Sequence, residues 1–449
     1  MGSITQTVAS ILGAAQVTDW DELAAPLKPA IQGAIAADHP PACVAYPDTP
    51  EKLAEVIACA HQNHWRLLPC GHGSKLDWGS LVSGADLVVS TQRLNQGIEH
   101  AVGDLTVTAE AGVAFADLQR MLQQTRQFLA MDPAYAPQAT LGGIVATRDT
   151  GALRQRYGGI RDMLIGVSFV RYDGQQAKAG GRVVKNVAGY DLMKLMTGSF
   201  GTLGVLTQLT FRTYPGQETS KTVVLRGNAG AIQAATAEIR LSPLTPVAMD
   251  LLSPGLLLER GDTDSCGLAL QFQSIDAGVT EQVERLQAIA ATHDLTEQVL
   301  ADEADPQFWQ RVNTVLFPAT GAVVDAADAA DVADAAAVIA KIGTAPAQGT
   351  ALLTHLQSTL TPGTWQARIH ASSGLGTLRL TAADNTFKQL TAVRSHCQAA
   401  GGHLTLLAAP YAWKTEIDPW ALRDSTQALM TRLRDQFDPQ RHLSPGRFP

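Results

Sequence analysis

The residues best suited to chemistry sit in three glycine-rich runs. The first, Pro69-Cys70-Gly71-His72-Gly73-Ser74-Lys75, follows directly on a short apolar stretch. Its glycines let backbone N–H groups converge with no side chain in the way, and such a nest holds phosphate oxygens without a basic residue. The spacing is neither GxGxxG nor GxxxxGK(S/T), so taken alone the run reads equally as a tight turn. The second run, Ala139-Thr140-Leu141-Gly142-Gly143-Ile144-Val145-Ala146-Thr147, extends through Gly151 to Arg156-Tyr157-Gly158-Gly159. The third carries Lys185, Tyr190 and Asp191 and leads into Gly198-Ser199-Phe200-Gly201-Thr202-Leu203-Gly204-Val205. Three such runs in this order are far more specific than one.

Rigid elements must hold these runs in place. Ala42 to Tyr46 is apolar, Pro50 opens a segment with Leu53, Val56, Ile57 and Ala60 at helical spacing, and Arg66 to Leu68 follows, which reads as strand, helix, strand. Leu87 to Ser90, Leu105 to Ala109, Leu164 to Tyr172 and Leu203 to Tyr214 read as further strands, and Phe115 to Gln127 as an amphipathic helix. Met131 to Tyr157 shows little periodicity and reads as a long functional loop. Pro215 marks a boundary, beyond which helices are expected at Ala229 to Arg240, Glu281 to Thr292 and Phe387 to Ala399. Val323 to Ile342 is alanine-rich, and Asp325, Asp328, Asp331 and Asp334 give it the solvated face of a helix. The expected divisions are a helical segment over 1–35, a first domain over 36–215, a second α/β domain over 216–425 and a closing segment over 426–449.

The chain has 449 residues, with 34 Lys+Arg against 42 Asp+Glu and a net charge of −8. It lacks the positive field that holds nucleic acid or anionic lipid, so an anionic ligand must be held locally. Cys43, Cys59, Cys70, Cys266 and Cys397 are scattered, with no CxxC or Cys/His cluster, which removes the usual support for an iron–sulfur cluster, a zinc site or a disulfide framework. No metal site is expected. Met1 to Gln16 is apolar but has no basic start and no run of membrane length, and reads as a helix of a cytoplasmic protein that inserts in no membrane.

The wording ATLGG, KNVAGYD and GSFGTLGV resembles the FAD-binding domain of the vanillyl-alcohol oxidase and p-cresol methylhydroxylase flavoprotein superfamily. The resemblance covers about residues 40 to 215 and resumes at Phe437-Asp438-Pro439 and Leu443-Ser444-Pro445-Gly446-Arg447. Within it, the chain looks most like the smaller, E-type FAD-binding subunit of bacterial glycolate oxidase. The resemblance implies an α+β fold, with a two-subdomain FAD-binding domain and an α/β cap. It implies that Gly71, Gly73, Ser74, Thr140, Gly142 and Gly143 hold the FAD diphosphate, that Gly201, Thr202, Gly204 and Val205 lie along the cofactor, and that Pro69, His72, Leu141, Ala146, Gly151 and Lys185 also belong to its binding site. Some members attach FAD through a histidine that follows two glycines. Here His72 lies between Gly71 and Gly73, one position earlier, so the FAD is expected to be non-covalent.

The chain departs from the family at one place. Catalytic relatives carry a His-x-Gly-Asp-Gly-Asn-x-His motif, whereas this chain reads His370-Ala371-Ser372-Ser373-Gly374-Leu375-Gly376-Thr377. One imidazole remains. Oxidation of a 2-hydroxy acid needs a base for the hydroxyl proton, and His370 and His403 are the candidates, each of which also reads as a structural histidine. Arg154, Arg156 and Tyr157 read as groups for a substrate carboxylate or as plain surface. The resemblance implies a subunit that takes part in oxidising glycolate to glyoxylate beside a second flavoprotein, of the D-type, and an iron–sulfur subunit, and that is weakly active alone. A stand-alone dehydrogenase of a small 2-hydroxy acid such as D-lactate and a non-catalytic flavin-loaded scaffold are the alternatives.

Overall fold

The computed structural model describes residues 3–36, 39–182, 189–257, 266–318, 337–383 and 385–448. The chain forms two compact units: residues 1–151, 158–216 and 422–449 make the first, and 152–157 with 217–421 the second. Helix and strand are mixed in both, as the α+β expectation requires.

The first unit contains a four-stranded sheet in the order Val17–Asp19, Cys43–Ala45, Leu87–Ser90, Leu67–Cys70. Its last three strands run parallel. The helix Pro50–Gln62 makes the crossover that parallel pairing demands, with Thr49 capping its start, Pro50 at its first position and Leu53, Val56, Ile57 and Ala60 buried. A five-stranded antiparallel sheet follows, in the order Ile98–Ala101, Thr106–Glu110, Val205–Arg212, Leu164–Val170, Gln176–Gly180. The helix at the N-terminus covers Ile4–Leu12 and gives way to the strand Val17–Asp19 before Ala42 is reached.

The stretch from Met131 to Tyr157 is not the continuous loop that its composition suggests. It holds the helices Leu141–Thr147 and Arg154–Tyr157. Thr140 caps the first by accepting a hydrogen bond from Gly143 N at 3.2 Å, and Gly142 is packed so closely that a Cβ would lie 3.0 Å from Ala111 O. Tertiary contact at Gly142 thus forms a helix where two adjacent glycines disfavour one.

The second unit is built on an eight-stranded antiparallel sheet, in the order Thr296–Ala301, Thr219–Gly227, Cys266–Ser274, Ala248–Leu252, Trp365–His370, Leu375–Thr381, Ala337–Gly343, His403–Ala408. Side chains alternate across it. Val223, Met249, Leu251, Leu268, Ile369 and Leu378 enter one core with the helices Ala229–Leu241, Asp276–Thr292, Gly349–Thr359 and Thr386–Ala399. Thr222, Asp250, Arg368 and His370 occupy the opposite parity, where helix Ala304–Leu316 bonds Thr222 and Arg368 through Asp305 and Asn313. The aspartates expected on a solvated helix, Asp325, Asp328, Asp331 and Asp334, lie outside the described residues. The end of that segment is strand, Ala337–Gly343, because it is paired on both sides. Among the described residues no helix is long and apolar enough to cross a membrane.

Candidate functional site

In the first unit the strand Leu67–Cys70 ends in the loop Gly71 to Lys75, which forms one wall of a cleft enclosing about 790 Å3, open solvent included. The helix start at Thr140, Gly142 and Gly143 forms a second wall, and Ser199 to Val205 a third. Of the residues expected around a cofactor, Pro69, Gly71, His72, Gly73, Ser74, Thr140, Gly142, Gly143, Ala146, Gly201, Gly204 and Val205 line this cleft. Three glycine-rich runs far apart in sequence therefore meet at one place.

The glycines are there for space and for backbone geometry. A Cβ on Gly71 would lie 2.2 Å from Thr140 Oγ1, so any side chain would push the first loop off the second. Gly201 holds φ +72°, in the left-handed region that glycine enters without steric cost.

Three expected residues stand elsewhere. Leu141 is buried in the core, because a helical side chain one position from Gly142 points away from the cleft. Thr202 is buried and donates its hydroxyl to Ser199 O at 2.7 Å. Gly151 backs onto Asp132, where a Cβ would lie 2.1 Å from a carboxylate oxygen. Lys185 lies outside the described residues.

The cleft also contains groups whose use the sequence did not signal. Lys75 Nζ meets Asp149 Oδ2 at 2.7 Å, with side chains only 5% and 4% exposed, which ties the first glycine loop to the turn after helix Leu141–Thr147. Asp149 accepts a further bond from Ala134 N at 2.8 Å. Arg447 arrives from the far end of the chain and donates to the carbonyls of Trp78 and Ser80 at 2.9 and 3.1 Å. Burial brings its guanidinium down to about 10, with Asp77 opposing. Ser199 Oγ is buried at the wall with no hydrogen-bond partner. Burial pushes the Cys70 thiol up to about 12, so it is a neutral wall group and not a thiolate. His72 donates from Nδ1 to Gln138 O at 3.0 Å, which pins the loop.

The two histidines expected to act as bases fall in the second unit with different surroundings. His370 ends the strand Trp365–His370, beside Asp250 on the strand Ala248–Leu252, and Nδ1 lies 2.7 Å from Asp250 Oδ1. His403 begins the edge strand His403–Ala408, is exposed, and lies over Gly343, where a Cβ would meet its ring at 2.4 Å. Thr377, which takes the place of the second family histidine, is buried opposite Arg368. No group of three or more His, Cys, Asp or Glu side chains among the described residues is arranged to hold a metal ion.

Residues 41–180 match the FAD binding domain family. The chain is 29% identical over 250 residues to glycolate oxidase subunit GlcD of Bacillus subtilis, across 55% of this chain and 53% of that protein. To glycolate oxidase subunit GlcE of Escherichia coli it is 33% identical over 199 residues, 44% of this chain and 56% of that protein. The chain thus spans about half the length of these curated relatives. The crystal structure of p-cresol methylhydroxylase with substrate bound matches with a TM-score of 0.72 at 14% identity, over 99% of this chain and 96% of that one. Residues 41–180 thus match the FAD binding domain family, and the chain as a whole has the fold of p-cresol methylhydroxylase.

Proposed function

We propose that the cleft of the first unit is the FAD site and that the chain is the FAD-binding subunit of a glycolate oxidase complex, oxidising a small 2-hydroxy acid, glycolate first. The observation that carries the placement is the glycine lining, with Gly71, Gly73, Gly142, Gly143, Gly201 and Gly204 all facing one cleft. Backbone N–H groups there, with the hydroxyls of Ser74 and Thr140, suit a diphosphate. The buried Ser199 Oγ, which has no hydrogen-bond partner, is a further polar group for the cofactor. Lys75 and Arg447 bring positive charge to the same walls. The bond from His72 Nδ1 to Gln138 O favours a role for this ring in shaping the loop, in keeping with non-covalent FAD.

Bound FAD supplies the two-electron acceptor, so that the C–H hydrogen leaves with its electron pair while the hydroxyl proton passes to a protein base. His370 is the better base, because Asp250 holds its ring, whereas His403 is exposed on an edge strand. The names of two relatives, both glycolate oxidase subunits, support the substrate class and a multisubunit assembly. A second flavoprotein and an iron–sulfur subunit are the partners proposed, with this chain reaching a membrane only through them.

The test is anaerobic addition of glycolate and of D-lactate to the purified yellow chain. Glycolate is expected to bleach the flavin slowly in one turnover, with sustained turnover only when partners are added. A flavin that neither acid bleaches, with or without partners, identifies a scaffold instead. Acid precipitation is expected to release the flavin, and a pellet that stays yellow after washing overturns non-covalent binding.

A further inference from the structure

We infer that Asp250 is the positioning residue for His370, fixing its imidazole in the one tautomer that can accept a proton at Nε2. The inference rests on the reading that His370 takes the hydroxyl proton. Asp250 is wholly buried, at 0% exposure, and its Oδ1 lies 2.7 Å from His370 Nδ1. A carboxylate only accepts hydrogen bonds, so the proton of the neutral ring resides on Nδ1 and the lone pair is left on Nε2. Nε2 has no hydrogen-bond partner among the described residues, so its lone pair is left for an incoming proton, and His370 as a whole is 5% exposed.

Arg368, two residues before His370 on the same strand, places Nε 3.9 Å from Asp250 Oδ2, close enough to offset its charge but with no hydrogen bond between them. Arg368 Nη1 in turn donates to Asn313 Oδ1 at 3.1 Å, from helix Ala304–Leu316. Helix, guanidinium, carboxylate and imidazole thus form one line of contacts, drawn from residues 313, 368, 250 and 370. The arrangement gives the single remaining histidine of the altered family motif an orienting partner.

The test uses the FAD-loaded full chain with nitrogen-15-labelled histidine, and His370→Gln to assign the resonance. The expected spectrum of neutral His370 shows a protonated Nδ1 and a bare Nε2. Asp250→Asn is expected to abolish that tautomer preference and to slow flavin bleaching by glycolate about 100-fold or more, the usual cost of disabling a general base. FAD content and the glycolate concentration for half-maximal rate are expected to stay unchanged, and Asp250→Glu to recover part of the rate. A wild-type ring protonated on Nε2 overturns the inference whether or not any variant folds. An Asp250→Asn chain with unaltered tautomer and rate does so as well. The expected tautomer in a wild-type chain whose flavin no 2-hydroxy acid bleaches overturns instead the functional reading, and the base role with it.

Discussion

Gly143 shows how much a side chain could block at the wall of the cleft. It sits in the first turn of helix Leu141–Thr147 and lines the cleft, and a Cβ there would meet Thr140 Oγ1 at 3.1 Å. Gly143→Leu is expected to leave thermal unfolding near that of the parent, since replacing a helical glycine itself contributes roughly 0.5–1 kcal/mol. The same change is expected to lower FAD affinity about tenfold or more, equal to about 1.4 kcal/mol. The flavin-to-protein ratio after gel filtration measures it, and a fully loaded variant refutes the placement. The glycines were readable in the sequence because close backbone approach admits no other residue. Lys75 stood in the motif, yet nothing there marked it as a buried cation, because its partner Asp149 lies 74 positions away by the numbering. Asp250 gave no local signal at all, since only the pairing of its strand with Trp365–His370 brings it to the imidazole. Leu141, Thr202 and Gly151 were drawn in as sequence neighbours of residues that line the cleft, and helix and turn geometry turned them elsewhere.

Periodic elements were legible and irregular ones were not. Pro50–Gln62 announces itself by a capping threonine, a proline at its start and apolar residues at helical spacing. The short helix after Thr140 is hidden by its two glycines, and the single bridge from Leu67 to Leu443 in the tail by having no period of its own. That tail is held by a bond from Leu67 N to His442 O at 2.8 Å and by a return bond from Ser444 N to Leu67 O at 2.8 Å. His442 packs near His61 and His64, with ring centroids 6.4 and 5.8 Å away. Burial holds His442 below the ordinary imidazole value, Asp438 opposes, His64 and His61 push the same way as burial, and Asp86 opposes weakly. A histidine depressed in this way stabilises the fold fully above its unfolded value, near about 6.5, and less as pH falls through the histidine range. The melting temperature is therefore expected to drop between roughly pH 7 and pH 5, and His442→Gln to flatten that part of the dependence. An unchanged slope in the variant places the titration elsewhere.

The first unit is discontinuous: residues 217–421 are inserted between its strands and its closing helix Asp424–Phe437. Arg447 then reaches back 369 positions to Trp78 O. Arg447→Met withdraws the guanidinium from two buried carbonyls, which is expected to cost about 1–3 kcal/mol of stability and to reduce FAD retention. Calorimetry and flavin content on the same sample check both, and a variant equal to the parent in both measures refutes the role of the tail. The order of synthesis gives this topology a further meaning. A ribosome makes the loop of Gly71, the helix start at Thr140 and the turn at Gly201 early, but the residue that fastens the cleft emerges only after the inserted unit has been translated. Nascent chains stopped before Leu422 are expected to carry all three glycine runs and yet to retain no flavin, whereas chains extended past Arg447 are expected to retain it.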